Sequence, residues 1–334
     1  MTLPTQHILT AVETLRGVAV RTPMLTSAAF NEQVGRTVWV KAENQQRTGS
    51  FKLRGAYNAV ANRGEQEQHQ GVIGGSSGNH ATALALAARE VGVPVTVVVP
   101  ADLPVVKRQA IETFGARIIT YDRLSGRREE IVHALAQRDR LTIVPSADHE
   151  LVIAGAGTVG WEMLQEAPDL KSLLVPVGGG GLAAGTAVAA AGHDPGLPVF
   201  GVEPASADDT HRSLRAGMRI SIPPPVTIAD GLGHREPARL PFAINRRLLA
   251  GVITIAEQEI SAAMAYLFRH FRLVAEPSGA VAFAGLLRVL PQLPDGPVGV
   301  VVSGGNVDWN TYKTQLDHTM PRTEYLPHAA AVLH

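Results

Sequence analysis

Between about residues 71 and 145, short apolar runs alternate with amphipathic stretches, the pattern of successive βαβ units around a parallel sheet. The spacing predicts strands at 72–74, 95–99, 117–120 and 141–144, separated by helices near 80–91, 105–114 and 127–138. A second such region begins near residue 153, with a helix to 166, a strand at 173–177, a glycine loop, a helix at 182–191 and a strand at 199–202. From 220 to 250 the chain is rich in proline and weakly periodic, so it reads as a long functional loop or lid. Helices at 257–272 and 277–290 and a strand at 298–302 follow. The fold class is therefore α/β, with two open, mostly parallel sheets flanked by helices. Residues 1–67 and 148–334 are expected to form a larger domain, and 68–147 a smaller one. Open parallel sheets bind ligands beyond the carboxyl ends of their strands, which puts the expected site in a cleft between the lobes.

Composition narrows what that cleft holds. The 334 residues suit about two domains, and 30 Lys plus Arg balance 30 Asp plus Glu. Nothing in that balance suggests nucleic acid or an anionic membrane, so a small molecule is the expected partner. The absence of cysteine excludes a thiol nucleophile, a cysteine-ligated zinc site and a disulfide framework. Residues 1–20 carry Glu13 and Arg16 within a helical apolar pattern, which does not read as a signal peptide. Apolar runs such as 95–99 fall far short of the roughly 20 residues of a membrane-spanning helix. A cytoplasmic protein is expected.

Five lysines are present: Lys41, Lys52, Lys107, Lys171 and Lys313. Lys52 follows Thr48-Gly49-Ser50-Phe51 and precedes a helical stretch at 53–63, with Ser50 placed as N-cap and Gly49 giving the backbone room to turn. The positive end of a helix disfavours a second positive charge, and burial adds to that, so this amine is expected to lose its proton easily. A neutral amine is what Schiff-base chemistry requires; the plain alternative is a solvated surface lysine. The other four lysines look ordinary.

Gly178, Gly179, Gly180 and Gly181, followed by Leu182, join a strand to a helix, where free amides and the helix dipole can cradle a phosphate. Each glycine costs roughly 0.5–1 kcal/mol of backbone ordering relative to alanine, which a purely structural loop would seldom spend four times over. No Walker pattern is present, nor a convincing dinucleotide fingerprint, so a compact monophosphate fits better and a nicotinamide dehydrogenase is disfavoured. Ser76-Ser77-Gly78-Asn79-His80 opens a helix directly after a strand, offering hydroxyls, an amide and backbone donors for a carboxylate or a phenolic oxygen, or simple capping. Ser303-Gly304-Gly305-Asn306 again ends a strand with a polar residue and glycines. In this topology these turns converge on one cleft.

Taken in order, Lys41-Ala42-Glu43-Asn44-Gln45, Thr48-Gly49-Ser50-Phe51-Lys52-Leu53-Arg54-Gly55-Ala56, Ser76-Ser77-Gly78-Asn79-His80, the glycine loop and Ser303-Gly304-Gly305-Asn306 resemble the serine/threonine dehydratase and serine racemase family. These are pyridoxal-phosphate enzymes of fold type II, the tryptophan synthase beta-like fold, and the likeness runs over about residues 21–308. It implies that Lys52 carries the cofactor covalently and that Phe51 lies against it. By the same resemblance Asn79 bonds the ring oxygen, Gly178 to Gly181 and Leu182 form the phosphate cup, and Ser303 partners the pyridine nitrogen. A neutral hydroxyl cannot hold that nitrogen protonated as a carboxylate would, which favours prompt loss of a β-hydroxyl. The activity implied is an ammonia-lyase (dehydratase) converting L-threonine or L-serine to 2-oxobutanoate or pyruvate and ammonia. The freed Lys52 amine would remove the Cα proton. Serine racemase and threo-3-hydroxyaspartate dehydratase are the alternatives, and a non-catalytic amino-acid or nucleotide sensor is the alternative of a different class. Homodimers are the family expectation.

Ser77 follows the racemase and hydroxyaspartate dehydratase branch, where a hydroxyl opposite Lys52 is a candidate second acid or base; a capping serine is the alternative. Glu203, the carbonyl of Ala207 and Asp209 resemble that branch's divalent-cation loop, suited to magnesium, manganese or calcium, against a solvated surface loop. Ser76, Gly78, Asn79 and His80 join Ser77 around the substrate. Arg128 and His234 are placed for its distal end, where a basic pair would suit 3-hydroxyaspartate, although Arg128 could simply pair with a neighbouring carboxylate.

Overall fold

Runs of Val, Ile and Leu bounded by Gly or Pro form the strands of a computed structural model that describes residues 3–317, apart from 65, 66, 68, 69, 77, 104 and 123–126. In chain order the elements are α1 (Thr5–Leu15), β1 (Met24–Leu25), α2 (Ala28–Val34), β2 (Val38–Ala42), α3 (Lys52–Ala61), β3 (Val72–Gly75), α4 (Asn79–Val91) and β4 (Val95–Pro100). Then come α5 (Val105–Thr113), β5 (Arg117–Tyr121), α6 (Arg128–Asp139), β6 (Thr142–Ile143), α7 (Glu150–Glu166), β7 (Ser172–Pro176), α8 (Gly181–His193) and β8 (Val199–Pro204). The chain continues with α9 (Asp209–Ala216), α10 (Arg239–Leu248), β9 (Leu249–Ile255), α11 (Glu257–Tyr266), α12 (Pro277–Val289), β10 (Val298–Val302) and α13 (Trp309–Asp317).

Two sheets result, as the alternation predicts. The larger has the order β1-β2-β10-β7-β8-β9 and is parallel except for β1, while the smaller, β5-β4-β3-β6, is parallel throughout. The central strands β4, β7 and β10 are buried along their whole length, as helices on both faces of a parallel sheet require. Glycines let α3, α7 and α8 pack backbone to backbone: a Cβ on Gly155 would come within 2.4 Å of the Arg54 carbonyl oxygen, and one on Gly157 within 2.8 Å of that of Gly185. The carboxyl ends of β10, β7 and β8 lead into Ser303, the glycine loop and the turn beginning at Glu203, and β3 leads into Ser76. Among the described residues, no helix is long and apolar enough to cross a membrane.

Three local expectations change. The stretch read as a lid contains α10 and runs into the edge strand β9, which pairs with β8. Ser50 does not cap α3: that helix starts at Lys52, with Phe51 at its N-cap and no side-chain cap, while Ser50 forms a bridge with Gly304. The helix expected at 257–272 ends its α-helical part at Tyr266, continues as a π-turn at Leu267–Phe271 and stops at Arg272, whose φ is +58°.

Candidate active site

A left-handed turn at Gly49 (φ +70°) brings the chain from the end of β2 into α3; a Cβ there would lie 2.2 Å from Asn306 Oδ1. This turn aims Lys52 into a cavity of about 210 Å³. Lys52 Nζ donates to the Ser146 carbonyl at 2.9 Å and lies 4.9 Å from the Phe51 ring centre. Burial, with no carboxylate paired to it, pushes the amine down to about 8. The solvated surface-lysine alternative therefore fails, and this amine loses its proton more easily than an exposed lysine does.

The same cavity is lined by Phe51, Ser76, Gly78, Asn79, His80, Arg128, His234 and Ser303, which sequence reasoning had placed around one ligand. Ser303, at the end of β10, is 5% exposed, and its carbonyl accepts from Phe51 N–H, tying β10 to the lysine turn. Asn79 opens α4, and its amide is held from two sides: Nδ2 donates to Glu276 Oε1 at 2.6 Å, and Oδ1 accepts from Asn306 Nδ2 at 2.9 Å. Ser76 Oγ accepts from Gly78 N–H. Arg128, the first residue of α6, pairs with Glu129 at 2.7 Å and still faces the cavity. Ser77 lies outside the described residues.

His80 and His234 are both pushed down to about 4, first by burial and then by the nearby Lys52 and Arg128 charges. His234 is therefore a neutral ring at pH 7, which corrects its expected part in a basic pair. His80 Nε2 lies 2.9 Å from the Val144 carbonyl, which can only accept, so this nitrogen carries the proton and the ring braces the small sheet.

The glycine loop is pressed from outside. A Cβ on Gly178 would come within 3.0 Å of the His234 ring, one on Gly179 within 3.1 Å of the Ala147 methyl, and one on Gly180 (φ +87°) within 2.8 Å of Asn245 Nδ2. Side chains are thus excluded, and the buried start of α8 has no side-chain cap. The Leu182 side chain packs into the core, leaving its backbone for any ligand. A buried helix N-terminus without a capping side chain suits a phosphate.

Sequence reasoning passed over several groups. Lys107, read as ordinary, lines the cavity and reaches across the lobes to Asp230 at 3.3 Å. Lys41 is fully buried and donates to Glu162 at 2.7 Å and to the Thr22 carbonyl. Glu276, just before α12, is 4% exposed; burial first, and then Asp230, push its carboxyl up to about 7. Its partner Asn79 stood in a recognised motif, whereas Glu276 itself carried no local signal.

The expected cation ligands lie at the end of β8 and the start of α9. Glu203 and Asp209 are fully buried, as is Ala207 in the turn between them. Glu203 Oε1 accepts from His211 N–H, but Glu203 Oε2 and both Asp209 carboxyl oxygens have no partner outside their own residue among the described residues. Burial, followed by neighbouring carboxylates, pushes Glu203 to about 9 and Asp209 to about 7. No group of three or more His, Cys, Asp or Glu side chains that could hold a metal occurs among the described residues. A cation here would therefore need the Ala207 carbonyl as well.

A family model described as "Pyridoxal-phosphate dependent enzyme" matches residues 15–304. The chain belongs to this family. It is 41% identical to the L-threo-3-hydroxyaspartate ammonia-lyase of Saccharomyces cerevisiae over 315 residues, covering 94% of this chain and 97% of the relative. It is 35% identical to an L-threonine ammonia-lyase of Thermotoga maritima, covering 91% and 76%. The crystal structure of serine racemase from Dictyostelium discoideum superimposes with a TM-score of 0.85 at 37% identity, covering 92% of this chain and all of that one. The type II fold and the dehydratase and racemase kinship expected from the motifs are thereby shown. The residues fit the family's cofactor: a half-buried, easily deprotonated lysine and a strand-end hydroxyl line one cavity, and the glycine loop leaves an uncapped helix start at the carboxyl end of β7.

Proposed function

We propose that this protein is an ammonia-lyase for an acidic β-hydroxy amino acid, with L-threo-3-hydroxyaspartate placed ahead of L-threonine and L-serine. One observation carries the choice. Arg128, although paired with Glu129, lines a cavity whose two histidines are neutral, and its guanidinium is the cation there that a second substrate carboxylate would meet. A methyl group or a hydrogen at that end would make no charge-assisted contact with the guanidinium. The relatives named for hydroxyaspartate agree with this order.

When bound, pyridoxal phosphate supplies an aldehyde that joins amines and a ring that accepts the electron pair left at Cα. In this reading Lys52 is the residue that would hold the cofactor's aldehyde, and its neutral amine would be the group that accepts the Cα proton. The Ser146 carbonyl, which accepts from Nζ, orients it. Residues 178–182 offer backbone N–H groups to the phosphate. Asn79 has a second amide hydrogen that would serve the ring oxygen, and the Ser303 hydroxyl would partner the ring nitrogen. Backbone groups around Ser76 and Gly78 hold the α-carboxylate. We further assign Glu203, Asp209 and the Ala207 carbonyl to a magnesium, manganese or calcium ion, which would satisfy the bare oxygens and hold the start of α9.

Purified holoprotein offered each substrate separately tests the reading. Oxaloacetate and ammonia should form from L-threo-3-hydroxyaspartate with a kcat/KM at least tenfold above those for 2-oxobutanoate from L-threonine and pyruvate from L-serine. Arg128→Met should erase that preference. Equal or greater turnover of the neutral substrates, or a racemised product in place of an oxo acid, would overturn it.

A further inference from the structure

Helix α10 lies in the stretch that reads as a lid, yet it touches the two halves of the cofactor site at once. Pro241 and Asn245 sit one turn apart on the same face, and both press on Gly180, whose missing Cβ would lie 3.1 Å from Pro241 and 2.8 Å from Asn245 Nδ2. The Gly180 carbonyl accepts twice, from Ala184 N–H within α8 at 2.9 Å and from Asn245 Nδ2 at 3.3 Å. Asn245 is 1% exposed. At the other end of α10, the Asp148 carboxylate accepts from Leu240 N–H at 2.7 Å and Arg239 N–H at 3.3 Å, taking up two orphan donors of the first turn. Asp148 is two residues beyond Ser146, whose carbonyl holds Lys52 Nζ, and next to Ala147, whose methyl backs Gly179 and Gly181.

Resting on the pyridoxal-phosphate reading, we infer that Asn245 is a positioning residue for the phosphate cup and that Asp148, by capping α10, keeps that cup in register with Lys52. The physical reason is local. Gly180 sits in left-handed backbone, and its carbonyl direction sets where the first N–H groups of α8 point. With one acceptor fixed by two donors, those N–H groups are ordered before the phosphate arrives, and less affinity is spent ordering them. Residues 239–248 then act as a fixed clasp.

The test is cofactor uptake by apoprotein prepared from wild type, Asn245→Leu and Asp148→Ala, followed by spectroscopic titration with pyridoxal phosphate and by melting of the apo and holo forms. Asn245→Leu should raise the cofactor Kd at least tenfold and shrink the holo-minus-apo gap in Tm, with the apo Tm little changed. Asp148→Ala should act in the same direction by several-fold, and it keeps the inference testable should the Leu variant not fold. Unchanged Kd values, or a fall in apo Tm with the holo-minus-apo gap intact, would overturn the positioning role. Failure of wild type to take up the cofactor would instead sink the underlying reading.

Discussion

Two groups of buried carboxylates lie on opposite sides of the large sheet's functional edge, and they are treated differently. Behind α3, Glu43 and Glu162 face Arg54 and Lys41: Arg54 bonds both oxygens of Glu43 at 2.8 Å and Glu162 at 2.6 and 2.8 Å, and Lys41 adds its own bond to Glu162. Burial raises the Glu43 carboxyl, but Arg54 and Lys41 outweigh it and hold the group below its usual range. Between β8 and α9, Glu203 and Asp209 have no such cation among the described residues, and they are pushed up to about 9 and about 7 respectively. Two charges of each sign make the first group complete in itself. The second is short of positive charge, which is the condition a bound cation corrects.

The comparison breaks most visibly at Arg54. Arg54→Met leaves two buried carboxylates facing one lysine and should cost about 3–5 kcal/mol in chemical denaturation. A loss below about 1 kcal/mol would show that the quartet is not a closed unit. Next, adding magnesium, manganese or calcium to EDTA-treated protein should stabilise it, by about 2.7 kcal/mol at a hundredfold excess over Kd. Asp209→Asn should remove that response. An ion response that survives this substitution would move the cation elsewhere.

A gentler effect belongs to Glu276, which is buried like Glu43 but holds only Asn79. Its folded pKa of about 7 lies above the ordinary 4.5, so its contribution to stability is complete below about pH 4.5 and is lost as pH rises towards 7. Glu276→Gln should flatten the stability profile in that window. An unchanged slope would show that another group titrates there.

Much of this was legible in the chain. Short apolar runs alternating with amphipathic stretches announced both sheets, and Lys52, the glycines and the strand-end turns each showed at the level of a few consecutive residues. What escaped depends on partners far away in sequence. Lys41 meets Glu162 121 residues on, Lys107 meets Asp230 across 123, and Glu276 meets Asn79 across 197; no local pattern distinguishes these residues from ordinary surface charges. Helix α10 was hidden for a different reason. Pro241 reads as a breaker, yet it stands in the first turn, where its missing N–H costs nothing, and the helix is held by Asp148 from outside. The edge strand β9 is half-buried, so its burial pattern is too weak to announce a strand.

The central claim is that Lys52 is the amine that carries the cofactor. Borohydride reduction of the holoprotein, and of apoprotein mixed with pyridoxal phosphate at a series of pH values, each followed by peptide mapping by mass spectrometry, tests it directly. The account predicts a single pyridoxyl adduct on Lys52, with trapping by apoprotein rising through a midpoint of about 8. An adduct on Lys41, Lys107, Lys171 or Lys313, or no adduct at any pH, would contradict it.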